Sequence, residues 1–268
     1  MTFAQPDHIS DPDILPRLPA WVTSTRSETL EDVAFLSGAA LNHLHLVLER
    51  EEVPQALLRD RLALRAAGAC VAFTGRSERE AELRDAVHLL RPGDLPGPAG
   101  EICLAWRRAV ERPLSIKALG RALPTLEPSQ IAAWLDAGKG SPVTRAAMVL
   151  EAVLTETPRA EVPALIVADA ALAQAPGWDH LVPLLAPGLK RADLRKRGDD
   201  LRLACHRALV SSAVEAVRLS ADLARRAAHL KAVAPKLRSK GAGDAVEMFL
   251  KRDAVAPSAL PLPDRAAR

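Results

Sequence analysis

Apolar residues in this chain recur at three- and four-residue steps for most of its length, and the pattern is clearest between Arg59 and Trp106. Leu58, Leu62, Ala66, Ala69 and Phe73 fall on one stripe of a helix that begins near Pro54. Gly75 ends it, because glycine tolerates the left-handed conformation that closes a helix, and the Ser77 and Glu80 spacing predicts a capping box for the next one. Leu83, Ala86, Val87 and Leu90 form the inward stripe of that second helix, which Arg91-Pro92-Gly93 stops. Ile102, Ala105, Trp106 and Ala109 mark a third, with Pro98 near its first turn. Loops this short force the three helices to pack on one another.

The same period extends outward. Thr25 and Glu28 have capping-box spacing for a helix running to about Leu48, and its Ser37-Gly38-Ala39-Ala40 run is small enough for another helix to approach closely. Pro113, Pro124 and Pro128 cut residues 111–140 into short helical pieces. Val143, Ala146, Ala147, Leu150, Val153 and Leu154 give a regular helix with Ser141 as N-cap and Pro142 in its first turn. Another runs from about Pro163 to Gln174, carrying Asp169 in an apolar setting where a hydrogen-bonded structural role is expected. From Asp200 to about Lys231 the pattern holds for some nine turns, with His206 on the inward stripe as a core histidine. The opposite face, Glu215, Arg218, Asp222 and Arg226, alternates in sign at helical spacing and reads as a self-neutralised solvated stripe.

Composition sharpens the fold class. Ala and Leu dominate, Tyr is absent, aromatics are 3% and period-two β-branched runs are missing. The expectation is an all-α bundle of ten to twelve helices with no sheet. Faint echoes between residues 34–41 and 164–172, and between 61–67 and 202–208, raise two related helical halves. The chain divides into an extended proline-rich arm (1–24), an acidic helical core (25–189), a basic helical C-terminal third packed on that core (190–256) and a tail (257–268). No run of about 18 apolar residues and no basic-then-apolar leader is seen, which points to a cytoplasmic protein without a membrane span. Cys70, Cys103 and Cys205 are odd in number and lie inside helical patterns, as reduced buried thiols would.

Charge carries the functional reading. Residues 190–268 have a balance of +9 and residues 1–189 one of −6. No acid lies between Asp222 and Asp244, whereas Arg225, Arg226, Lys231, Lys236, Arg238 and Lys240 supply six cations, and Lys190, Arg191, Arg195, Lys196 and Arg197 form an earlier cluster. Such segments attract phosphate, and the lack of interleaved aromatics favours the backbone of double-stranded nucleic acid over stacked single strands; an acidic protein is the other partner class. Candidates for chemistry are thinner. Glu82, Asp85 and His88 lie at three-residue steps, but the second acid-x-x-His motif of a bundle metal site is missing. His43 and His45, two apart, point to different helix faces, and Ala137 to Ser141 lacks the glycine spacing of a phosphate loop. No metal or cofactor is expected. Arg84 and Asp85 are expected as an ion pair tying the Pro92–Gly100 loop to its helix.

The block GRSEREAELRDAVHLLRPGDLPGPAG (75–100), the RLALRAA before it, LRKRGDDLRLACHRAL (194–209) and VAPKLRSKGA (233–242) resemble the bacterial family known as domain of unknown function 1403. The resemblance covers about Asp32 to Arg268. It implies no particular activity. It also implies a continuation in relatives, past a segment like Asp264 to Arg268, into a short winged-helix-like region; where such a reading head makes the base contacts, this basic segment is left to bind non-specifically or through a partner. The reading placed first is therefore a non-enzymatic nucleic-acid-associated or regulatory protein. The alternative is an enzyme or small-ligand or anion-binding protein using a pocket around Arg76, Arg84, Asp85, His88 and Asp94. A structural scaffold that oligomerises with itself is the third.

Overall fold

A computed structural model describes residues 15–24, 29–90, 93–237, 240–256 and 259–261. Those residues form twelve α-helices and no strand. In chain order they are α1 (Ala20–Ser24), α2 (Leu30–Leu48), α3 (Gln55–Phe73), α4 (Glu80–His88), α5 (Gly97–Glu111), α6 (Ile116–Ala122), α7 (Pro128–Ala137), α8 (Pro142–Glu156), α9 (Glu161–Gln174), α10 (Leu185–Gly188), α11 (Gly198–Val233) and α12 (Ala242–Lys251). The all-α expectation holds. The sequence echoes fall on α2 with α9 and α3 with α11, elements of 19 and 14 and of 19 and 36 residues.

α9 is the centre of the molecule. Every residue from Ala164 to Ala173 is buried, so this helix has no polar face at all, the signature of an element surrounded by others. α8 packs along it, with α7, α10 and α5 closing further sides. Asp169, wholly enclosed on this helix, accepts the backbone N–H groups of Leu184 and Leu185 at 3.2 and 3.1 Å. It thereby satisfies two donors at the start of α10, the structural role expected of it. Burial raises its pKa well above the usual carboxylate range, and the two N–H donors only partly oppose this.

α11, 36 residues and about 54 Å long at the helical rise, lies against α2 and α8. Small residues make this possible. Ser37 and Ala40 of α2 are buried against it, and Ser37 Oγ sits 2.6 Å from His206 Nδ1 and 2.9 Å from Ala34 O. With the serine proton on the carbonyl, the imidazole N–H donates to the hydroxyl, so His206 is a satisfied core histidine. Burial, then Arg202, pulls its pKa down to about 4. α10 approaches still more closely: a Cβ on Gly188 would stand 2.5 Å from Ala208 O and 2.6 Å from Ala208 Cα. Only glycine fits there. Glu151 of α8 receives the first N–H of α11, from Gly198, at 3.1 Å.

Two helix starts differ from the sequence expectation. The Thr25 to Glu28 pair lies outside the described residues, and α2 is capped by Thr29, whose hydroxyl accepts the Asp32 N–H at 3.2 Å. α3 closes at Gly75 (φ 81°) with paired bonds from Gly75 N to Ala72 O and Arg76 N to Val71 O, as expected of this glycine. The chain then stays non-helical through Arg79, so Ser77 and Glu80 make no capping box. Glu82 does that work two residues later, accepting the Arg79 N–H at 2.7 Å. Within the N-terminal 24 residues, Leu15 and Val22 are buried and residues 20–24 are helical.

The three cysteines are buried and unpaired with one another. Burial pushes Cys70 and Cys205 up to about 12 and Cys103 up to about 11, which makes them inert thiols near neutral pH. No helix among the described residues is long and apolar enough to cross a membrane.

Candidate functional site

Three helices each present side chains one turn apart to a common junction: Asp60 and Leu64 on α3, Arg84 and His88 on α4, Cys103 and Arg107 on α5. Asp253, just past α12, closes the fourth side. Asp60 holds two parts of the molecule together. One carboxylate oxygen lies 3.4 Å from Arg107 Nε, and the other accepts the backbone N–H of Asp253 at 3.2 Å. Arg61, the next residue on α3, forms an ion pair with the Asp253 carboxylate, whose side chain is 3% exposed. That contact lacks hydrogen-bond geometry, and both Asp253 oxygens are otherwise without a donor among the described residues.

The electrostatics of the junction follow from this enclosure. Burial raises the Asp253 pKa, with Asp60 adding to the effect and Arg61, Arg84 and His88 opposing it. His88 is shifted the other way, chiefly by burial and then by Arg107 and Arg84, against Asp60 and Asp253. It is held as the neutral imidazole near pH 7. The cavity between these groups is about 20 Å³. That accommodates about one water molecule and no organic substrate.

Of the five residues expected around a pocket here, Arg84 and His88 reach the cavity and Arg76, Asp85 and Asp94 are not in its lining. Arg76 is exposed and bonded to Glu78 at 2.9 Å. Asp85 is exposed and accepts from its neighbour Arg84 at 3.1 Å. That pair forms, but both members sit on α4, so it does not tie a loop to the helix. Glu82 is engaged in capping, so Glu82, Asp85 and His88 do not converge. Among the described residues no group of three or more histidine, cysteine, aspartate and glutamate side chains is arranged to hold a metal. His43 and His45 serve separate contacts, with Pro16 O at 2.7 Å and the Trp178 indole N–H at 2.9 Å.

The basic residues form a less even picture. Arg225 and Arg226 are exposed on α11 and share one carboxylate, Asp222, at 3.2 and 2.9 Å. Arg218 pairs with Glu215 at 2.7 Å, so the stripe is self-neutralised in part, as its sequence alternation suggested. Lys231 is also exposed but lies about 120–140° around the helix axis from the two arginines. Lys236 sits in the 3-10 turn Ala234–Lys236, and Lys240 is exposed in the turn before α12. Arg238 lies outside the described residues. The earlier cluster is exposed too, with Lys196 on Asp193 at 2.7 Å and Arg197 bonded to the carbonyls of Leu194 and Lys196.

Sequence reasoning missed one partner of this face. Arg17, in the segment before α1, joins Arg218 and Arg225 around a cleft of about 550 Å³ floored by Leu15, Leu18, Val214, Val217 and Ala221. Among the described residues no carboxylate contributes to that lining. No signal in the sequence placed Arg17 there, since the contact spans some 200 residues.

Comparison with curated proteins and with solved structures gives no match. The family model described as protein of unknown function (DUF1403) matches residues 6–268, essentially the whole chain, and the chain belongs to that family.

Proposed function

We propose that this protein is a non-enzymatic polyanion-binding protein whose α11 face contacts the phosphate backbone of a nucleic-acid duplex. One observation carries the reading: Arg17, Arg218 and Arg225, from two distant parts of the chain, surround one cleft whose lining contains no carboxylate among the described residues. Arg226 continues the same side of α11, and Arg207, also exposed, extends the stripe. From Arg207 to Arg226 the arginines span about 28 Å, close to one turn of duplex.

The carboxylates on this stripe do not argue against it. Glu215 and Asp222 are paired at the surface, where an ion pair contributes only about 0–1 kcal/mol, so an arginine can exchange its carboxylate for a phosphate at little cost. Phosphate additionally releases counterions, which a local carboxylate does not. Backbone contacts of this kind carry no sequence information, so affinity without sequence preference is expected. The enzyme reading loses ground because the cavity beside His88 is water-sized.

The test is retention of a duplex on native gels at low salt by the wild type and by a variant combining Arg218→Gln, Arg225→Gln and Arg226→Gln. The wild type should retain duplex of any sequence and the variant should lose at least tenfold in affinity. Absence of retention by the wild type, or retention by the variant at unchanged affinity, overturns the reading.

A further inference from the structure

A second cleft, independent of the arginine face, lies between the end of α2, the first turns of α3 and the segment that follows α9. Its volume is about 350 Å³. Leu58, Leu62, Val182 and Trp178 supply apolar walls. Its geometry is fixed by several restraints. The Trp178 indole N–H donates to His45 at 2.9 Å, the Asp179 carbonyl accepts the Leu114 N–H at 2.7 Å, and Gln55 Nε2 donates to the Leu48 carbonyl at 2.7 Å. The left-handed Gly177 (φ 74°) makes the turn that brings Trp178 to His180 over α3.

Arg59 projects into this rigid cleft. It is half-buried, and its Nε is enclosed without a hydrogen-bond acceptor among the described residues. Burial draws its pKa down. An enclosed guanidinium N–H without an acceptor is costly, and a carboxylate entering the cleft would supply one. Arg50, also in the lining, is already bonded to Glu52 at 2.9 Å. His180 lines the same cleft, and its pKa is lowered by burial and then by the Arg59 guanidinium, against Asp179. The interior of the cleft is thus positive and apolar, while its mouth carries the exposed acids Glu49, Glu51 and Asp179.

A simple anion would meet those acids on entry. A ligand with a carboxylate at one end and an ammonium beside it satisfies both ends of the field, and an apolar body fits the walls. We infer that this cleft binds a small zwitterion of the α-amino acid class with an apolar side chain, its carboxylate seated bidentately on Arg59 and its ammonium facing the acidic mouth. His180 then gains an anion where it now faces a cation. Such a site would make the protein a receptor for a small ligand, whatever its larger partner.

The experiment is titration of the full chain by calorimetry with L-leucine, L-leucinamide, 4-methylpentanoate and inorganic phosphate as probes. Leucine should bind, leucinamide (no carboxylate) should bind at least tenfold more weakly, and 4-methylpentanoate (no ammonium) should be weakened less. Arg59→Met should abolish leucine binding and, since it removes an enclosed N–H without an acceptor, should leave the melting temperature of the free protein unchanged or higher. That pairing separates a ligand-binding arginine from a structural one. Arg59→Lys keeps the charge without the fork and should retain weak binding, which covers the case of poor folding by the methionine variant. Glu49→Gln with Glu51→Gln should erase the preference for leucine over 4-methylpentanoate. Lack of leucine binding, phosphate binding as tight as leucine, or unchanged leucine affinity in a folded Arg59→Met variant each overturns the proposal.

Discussion

Asp169 and Asp253 are both carboxylates enclosed by the fold, and the chain accommodates them in opposite ways. Asp169 sits in a run of ten buried residues on α9 and is stabilised by two backbone N–H groups of Leu184 and Leu185. Asp253 lies among Asp60, Arg61, Arg84 and His88, and both its oxygens lack a hydrogen-bond donor among the described residues. The first is a hydrogen-bonded group that fixes a turn, its pKa raised by burial. The second is one charge in a network assembled from four segments, where each charge makes the others tolerable.

The largest effect should come from Asp169. Asp169→Ala leaves two buried N–H groups unsatisfied and should lower unfolding free energy by about 3 kcal/mol in urea titrations near pH 6. Asp169→Asn keeps an acceptor and removes the ionisation, and should cost about 1 kcal/mol or less. An alanine variant as stable as the asparagine one would break the comparison, because the bonds to α10 would then not matter.

Opposite pH slopes come next. The Asp169 pKa is raised on folding, so its contribution is fully present below the unfolded value near 3.8 and is lost as pH rises through the folded pKa. His206 has a pKa lowered to about 4, so its contribution is present above 6.5 and is lost as pH falls towards 4, on the order of 3 kcal/mol across the window. His206→Gln should flatten the stability profile between pH 6.5 and 4, and Asp169→Asn should remove the opposing slope above pH 4. A His206→Gln profile parallel to wild type would mean that the imidazole stays charged beside Ser37.

The peripheral network should give smaller and mutually dependent effects. Arg61 is partly exposed, so Arg61→Ala should cost only about 1 kcal/mol through the uncompensated Asp253. Combined with Asp253→Asn it should cost less than alone, with a positive coupling in a double-mutant cycle. Hydrogen exchange in α12 should accelerate in Arg61→Ala and not in Asp169→Asn. Additive behaviour would show that the cluster is four independent surface contacts.

These two regions also differ in how far the sequence reveals them. Period and punctuation were enough for α3, α5, α8 and α11, because Leu58 to Phe73 and Val143 to Leu154 repeat at helical steps and Gly75 and Pro142 mark ends by backbone chemistry. They were enough for Asp169 too, since a lone carboxylate among ten buried residues must find donors. They failed at α4, where Ser77 and Glu80 imitate a cap that Glu82 provides at Arg79. They failed also at the charge junction, since Asp60 and Asp253 are 193 residues apart and spacing along one helix says nothing about which distant charge closes the shell. Arg17 and Arg59 escaped for the same reason: an arginine's partner, or lack of one, is a property of the assembled surface.

The central claim, that the α11 face is the polyanion contact, is tested most directly by the slope of log affinity against log salt for a duplex, compared between two basic regions. Removing three phosphate contacts with Arg218→Gln, Arg225→Gln and Arg226→Gln should reduce the slope by about 2.7 in magnitude, whereas Lys190→Gln with Arg191→Gln, at the other cluster, should leave it unchanged. Equal slopes for wild type and the α11 variant, or a loss confined to the Lys190 and Arg191 variant, would contradict the account.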